Sequence, residues 1–199
     1  MEFLHGGGAK SVALLAGAWN PPTVAHVAMG RAALKWAERV VLAIPRALPH
    51  KAYAGVAFER RMEWIRKVAA GEEGFAAAVT EGGLFVEMAR EARAAGAERV
   101  FLVCGRDAAE RIVGWNYGVG AGIVEQMTEY ELLVADRCGS YEAPAELAPR
   151  VHRMELGMDW EEVSSTLVRE RIERSEEWTS LVPAAIGEDV ARAFGAKIR

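Results

Sequence analysis

Two short stretches of this sequence place groups that could hold and activate phosphate. In the first, Gly17-Ala18-Trp19-Asn20-Pro21-Pro22-Thr23-Val24-Ala25-His26 follows an apolar run and leads into helical spacing. A strand end that turns through glycine and proline into a helix delivers unpaired amides to its N-terminus, where anions are favoured. Thr23 is placed to cap that helix or to donate to a phosphate oxygen, and His26 lies one turn inside it. In the second stretch, Val163-Ser164-Ser165-Thr166-Leu167-Val168-Arg169, consecutive hydroxyls precede a predicted helix and an arginine follows one turn later. Hydroxyls are neutral donors, and a guanidinium grips a β- or γ-phosphate with two bonds. Read singly, each stretch also fits an ordinary capped helix, with a histidine satisfied inside the fold or an arginine on its surface.

Such groups need a scaffold to bring them together. Residues 12–17 (VALLAG) form an apolar run too short for a helix and suited to a buried parallel strand. Ala25, Met29, Ala33 and Trp36 recur at helical spacing, and residues 39–44 (RVVLAI) give a second strand before Pro45. Phe58, Met62, Ile65 and Ala69 predict one further helix, and Phe85, Met88, Ala89 and Ala92 another, before an apolar strand at 100–104. Strands at 131–135 and 151–156, a helix from about Thr166 and a last helix opened by Pro183 complete the pattern. Alternation of this kind predicts an α/β, Rossmann-like, doubly wound parallel sheet with helices on both faces, whose ligand crevice lies beyond the carboxyl ends of the strands. No linker separates two units, so a single domain over residues 1–199 is expected, with residues 114–122 and 139–149 as mobile loops.

Composition narrows the function. A formal charge of −4 argues against a surface that holds nucleic acid by counterion release, so phosphate binding must be local. No apolar run reaches bilayer length, and the first residues lack the pattern of a signal peptide, so no membrane partner and a cytoplasmic location are expected. Cys104 and Cys138 are too few and too far apart for a zinc site, and both are expected to be small buried or half-buried residues. The segment His5-Gly6-Gly7-Gly8-Ala9-Lys10-Ser11 looks like a phosphate loop but precedes a strand instead of following one, and it is expected to be a flexible arm, with Lys10 near enough to touch a ligand. A P-loop kinase or a dehydrogenase is disfavoured, because no Walker motif exists and Gly17 is not followed by G-x-x-G. His152 reads as structural, and Trp19 either lines the pocket or plugs the sheet edge.

Together these segments resemble the nucleotidylyltransferase superfamily with a (T/H)-x-G-H signature, most closely its nicotinate and nicotinamide mononucleotide adenylyltransferases. Gly17-x-x-Asn20-Pro21-x-Thr23-x-x-His26 is similar to the first motif, and Ser164-Ser165-Thr166-x-x-Arg169 to the (I/S)-S-T-x-x-R motif. Between them, residues 45–51 (PRALPHK), Glu59-Arg60-Arg61-Met62, and Gly105-Arg106-Asp107 with Trp115 downstream resemble further family segments. The resemblance implies adenylyl transfer from ATP to nicotinate mononucleotide, with release of pyrophosphate and Mg²⁺ bridging the phosphates. Thr23, His26, Lys51 and Arg169 would then be catalytic. Gly17, Trp19, Asn20, Gly105, Asp107, Ser164, Ser165 and Thr166 would bind the nucleotide. His50 and Trp115 would bind the acceptor, with the tryptophan stacked on its base. The chain departs from the pattern at Ala25, which replaces the signature glycine, and around residues 79–84, where the Tyr-Thr pair that recognises the pyridine carboxylate is missing. Residues 114–122 also lack the basic groups common after the tryptophan. These departures leave room for another phosphorylated acceptor, for cytidylyl transfer, or for a nucleotide-binding regulator without turnover. The oligomeric state stays open, a homo-oligomer included.

Overall fold

The computed structural model describes residues 1–47, 53, 55–115, 121–136, 139, 141–156, 160 and 162–197. Its centre is a seven-stranded sheet made of β1 (Glu2–His5), β2 (Ser11–Ala16), β3 (Arg39–Pro45), β4 (Phe75–Thr80), β5 (Arg99–Gly105), β6 (Glu131–Ala135) and β7 (Val151–Met154). The order across the sheet is β1-β4-β3-β2-β5-β6-β7. All neighbours from β4 to β7 are parallel, whereas β1 pairs antiparallel with β4 at the edge. Without that edge strand, the order is that of a doubly wound fold, which reverses direction between β2 and β5.

Period-two alternation sorts the strand side chains into two cores. Ala13 and Leu15 of β2, Val40, Leu42 and Ile44 of β3, and Phe101 and Val103 of β5 face one side. Val12, Leu14, Val41, Val100, Leu102 and Cys104 face the other. On the first side pack α1 (Val24–Ala33), α2 (Phe58–Ala70), α6 (Ser165–Glu173) and α7 (Gly187–Phe194), through Val27, Ile65, Val168 and Val190 among others. On the second side lie α3 (Phe85–Ala94), α4 (Arg106–Val113) and α5 (Ile123–Gln126), with Met88, Ala109 and the partly buried Ile123 against the sheet. Strands covered on both faces read as continuous apolar runs, which is why β2, β3, β5 and β6 were legible.

Some expectations need correction. The stretch expected to be a flexible arm begins in β1, with His5 as its last residue, and Ser11 already opens β2. Gly6, at φ 67°, makes the turn between them in a conformation that only glycine adopts without strain. Lys10 lies at the amino end of β2, away from the crevice, and pairs with Glu98 at 3.0 Å. Strand β4 was not predicted at all: Phe-Ala-Ala-Ala-Val-Thr has low β propensity, yet all six residues are buried because the strand sits between β1 and β3. The first helix also ends at Ala33. Trp36 lies beyond it and stacks on His152 at 4.6 Å. His152 contacts Glu131 at 2.5 Å, and Cys104 is buried, its thiol pushed up to about 12 by desolvation.

Candidate functional site

A cavity of about 440 Å³ opens at the carboxyl ends of β2 and β5, where the strand order reverses. Leu15 and Ala16 of β2 and Val103 to Gly105 of β5 form its floor. His26 and Met29 of α1 enter from one face of the sheet, while Ala108 and Arg111 of α4, with Trp115 just beyond, enter from the other. This follows from the winding: the chain leaves β2 for a helix on one face and leaves β5 for a helix on the opposite face, so the two helices diverge and leave a gap. The size is in the range of small-molecule sites.

The N-terminus of α1 is built by its own sequence. Thr23 is fully buried at the N-cap position with an extended backbone. Its N–H donates to His26 Nδ1 at 3.0 Å, and its Oγ1 stands 2.7 Å from the same nitrogen. A ring nitrogen that accepts an amide N–H carries no proton, so in the neutral imidazole the proton sits on Nε2. His26 therefore occupies the capping-box position of a glutamate or glutamine while its ring lines the cavity. Trp19, at φ 55°, is buried: its Nε1 donates to Ala43 O at 2.7 Å and its ring lies 5.0 Å from that of His26. It backs the histidine and ties the loop to β3. A side chain at Gly17 would approach that indole at 3.3 Å. Ala25 is 1% exposed, so the methyl group that replaces the signature hydrogen is packed inside.

The C-terminal stretch docks on this loop from more than 140 residues away. Ser165 Oγ donates to Pro21 O at 2.7 Å, and Arg169 Nη1 donates to Asn20 O at 2.7 Å and to Ser165 O at 3.1 Å. Arg169 Nη2 reaches Thr166 Oγ1 at 3.2 Å. Ser164 is the N-cap of α6, its Oγ accepting from Leu167 N. Two helix N-termini, a histidine and a guanidinium thus share one corner beside the cavity. Asn20 Oδ1 is buried there without a donor among the described residues, an acceptor that a ligand N–H or O–H would satisfy.

Other expected residues are placed differently. Gly105 lies on the cavity floor as the N-cap of α4, and Trp115, 44% exposed, forms part of the wall. Asp107 is exposed in the first turn of α4 and does not contribute to that wall. His50, Lys51 and Cys138 lie outside the described residues.

Arg61 is a participant whose role sequence reasoning missed. It is 5% exposed, and it donates to Ala18 O at 2.8 Å and Val56 O at 3.0 Å, with its guanidinium 3.7 Å from the Tyr53 ring centre. Burial lowers its pKa, opposed by Tyr53 and Glu59. Tyr53 is pushed up by burial against the pull of Arg61 and Arg169. Nothing in Glu-Arg-Arg-Met distinguishes the buried Arg61 from its neighbour Arg60; only the helical phase of α2 does. Among the described residues no group of three or more His, Cys, Asp or Glu side chains could hold a metal ion, and no helix is long and apolar enough to cross a membrane.

Comparison with known proteins agrees with this geometry. The cytidylyltransferase-like family model matches residues 14–171, which span both motifs. Among solved structures, the nicotinic acid mononucleotide adenylyltransferase of Plasmodium falciparum superposes with a TM-score of 0.71 in its complex with APC, at 13% identity. Its complex with NaAD gives 0.70 at 14% identity. Each comparison covers 96% of this chain and 100% of the other. No curated protein sequence matches the chain.

Proposed function

The chain belongs to the cytidylyltransferase-like family, and from that premise we propose that it transfers the adenylyl group of ATP to a pyridine mononucleotide, the nicotinate or the nicotinamide form, to make the dinucleotide of NAD synthesis. The observation that carries this reading is the junction of the two motifs: Arg169 and Ser165 bonded to the Asn20–Pro21 backbone, beside a cavity at the sheet's switch point. An oxygen of the acceptor phosphate attacks the α-phosphorus, the bond from that phosphorus to the β-bridging oxygen breaks, and pyrophosphate leaves with its electrons. The attacking oxygen is already ionised at neutral pH, so no protein nucleophile or base is required. Catalysis is then positioning and charge stabilisation.

The chain's own residues divide that work. His26 offers Nε2–H toward the α-phosphate, held in that tautomer by the Thr23 amide. The N-terminal amides of α1 and α6, with the Thr166 hydroxyl and Arg169, receive the β- and γ-phosphates, and Lys51, which lies outside the described residues, is assigned to neutralise phosphate charge on the family resemblance alone. Trp115 and the cavity floor at Gly105 take the acceptor's base. Mg²⁺ enters as part of the MgATP substrate, held by phosphate oxygens and water, which suits a protein whose described residues form no carboxylate cage.

The test is pyrophosphate release with Mg²⁺ and either ATP or CTP against nicotinate mononucleotide, nicotinamide mononucleotide, phosphopantetheine and simple sugar or alcohol phosphates. Release with ATP and a pyridine mononucleotide supports the proposal. Release only with CTP and an alcohol phosphate replaces it with cytidylyl transfer, and nucleotide binding without release for any acceptor replaces it with a regulator.

A further inference from the structure

Trp19 is 2% exposed and does not line the cavity, so it meets the chemistry only through its neighbours. Its backbone lies at φ 55°, in the left-handed region that is strained for a bulky residue and persists only where the surroundings hold it. The hold here is Ala43 O, which accepts the indole Nε1–H at 2.7 Å and the Gly17 amide at 3.1 Å, so the loop is stitched to β3 on both sides of Ala18. Burial alone does not supply such a bond: Trp64 of α2 is 0% exposed, yet its Nε1 has no partner among the described residues. The carbonyls around Trp19 are each taken by a donor from another element. Ala18 O accepts from Arg61 of α2 at 2.8 Å, and Asn20 O and Pro21 O accept from Arg169 and Ser165 of α6, each at 2.7 Å. A carbonyl oxygen occupied by a donor presents less negative charge to a bound phosphate. The indole ring lies 5.0 Å from that of His26, at 55°. Both contacts of Thr23 with this histidine fall on Nδ1, so they fix one atom of a ring that can still tilt about it. The indole adds a contact against the plane of the ring.

We propose that Trp19 is a positioning residue for the transfer step, its anchored indole fixing the plane of the His26 ring and the loop whose carbonyls Arg169 and Ser165 grip. The inference rests on the nucleotidyl-transfer reading above and adds to it a residue that touches no substrate. Two parts of the side chain do separate work: the indole N–H ties the strained turn to β3, and the ring backs the imidazole.

Trp19→Phe keeps a flat ring and loses the N–H, whereas Trp19→Leu loses both. Pyrophosphate release with ATP and a pyridine mononucleotide is measured well below the unfolding midpoints of the variants, and the imidazole tautomer of His26 is read by nitrogen NMR on the full chain without substrate. Trp19→Phe is expected to lower kcat by about fivefold and Trp19→Leu by about 30-fold, short of the roughly 10² that a displacement of about 1 Å costs, with the acceptor KM within about twofold of wild type. The Nε2–H tautomer is expected to persist in Trp19→Phe and to average between the two nitrogens in Trp19→Leu, a change that a residue serving stability alone does not cause. Wild-type kcat in a folded Trp19→Leu overturns the inference. A loss carried by the KM of either substrate instead of kcat also overturns it, because Trp19 is then part of a binding wall. If Trp19→Leu fails to fold, Trp19→Phe decides: wild-type kcat there overturns the inference, and a lowered kcat with the tautomer kept supports it. If wild type releases no pyrophosphate with either mononucleotide, the proposed activity fails, and the tautomer in the two variants decides the positioning of His26 by itself.

Discussion

His26 combines an observed capping contact with a proposed catalytic role, and two substitutions tell them apart. His26→Ala removes the acceptor of the Thr23 amide, which lies 3.0 Å from Nδ1 on a fully buried residue. A buried donor left without a partner costs about 1–3 kcal/mol. In a chain of this size each kcal/mol moves the midpoint by roughly 2–4 °C, so Tm should fall by about 2–12 °C. In the proposed mechanism the same change removes a donor to the reacting phosphate, which is worth about 3–4 kcal/mol, or roughly 10²–10³ in kcat. His26→Gln separates the terms. Glutamine at the third helical position is a normal capping-box partner, so its side-chain oxygen accepts the Thr23 amide and stability should stay within about 1 kcal/mol of wild type. Its amide cannot reproduce the direction of Nε2–H, so kcat should still fall by about 10²-fold. Thermal unfolding and pyrophosphate release on the three proteins provide the data. Wild-type turnover in His26→Gln would refute the catalytic assignment, and an unchanged Tm in His26→Ala would refute the capping one.

Two further outcomes follow from the same geometry. Arg61→Met strips the donors from Ala18 O and Val56 O, bonds from a charged group worth about 1.5–3 kcal/mol each before the relief of desolvating the cation. A net loss of about 2 kcal/mol in urea unfolding is expected, together with a raised KM for ATP, because the loop that carries Asn20 loses its brace; an unchanged midpoint and KM would show that Arg61 positions nothing. Glu177 accepts from Thr179 Oγ1, Ser180 Oγ and the Ser180 amide, which hold its carboxyl at about 2 against an ordinary 4.5. A depressed folded-state pKa stabilises above the unfolded value and is lost as pH falls through the folded one. Glu177→Gln should therefore be slightly less stable than wild type at neutral pH, by under about 1 kcal/mol for so exposed a group, with the difference closing between pH 4.5 and about 2. A gap that persists at the acid end contradicts the assignment.

Much of this protein was legible from sequence, because buried parallel strands and amphipathic helices leave periodic apolar signals that need no partner to be recognised. Residues 12–17, 39–44 and 100–104 declared β2, β3 and β5, and from them the crevice at their carboxyl ends. The motifs at 17–26 and 164–169 carried the family resemblance in residue type and spacing, and the family model that matches residues 14–171 spans both. Tertiary structure decided what local pattern could not. Strand β4 exists because its alanines fit between two neighbours, and the edge strand β1 exists because β4 offered it an open row of backbone groups. Trp19 turned inward once Ala43 O was there to receive its indole N–H, and Arg61 was buried by the phase of a helix whose neighbour Arg60 stays outside. Asp107 faced solvent because α4 presents other residues to the cavity. The meetings of Asn20 with Arg169 and of Pro21 with Ser165 are contacts between groups whose positions are set by packing. Sequence supplies the groups, but the sheet determines their distances.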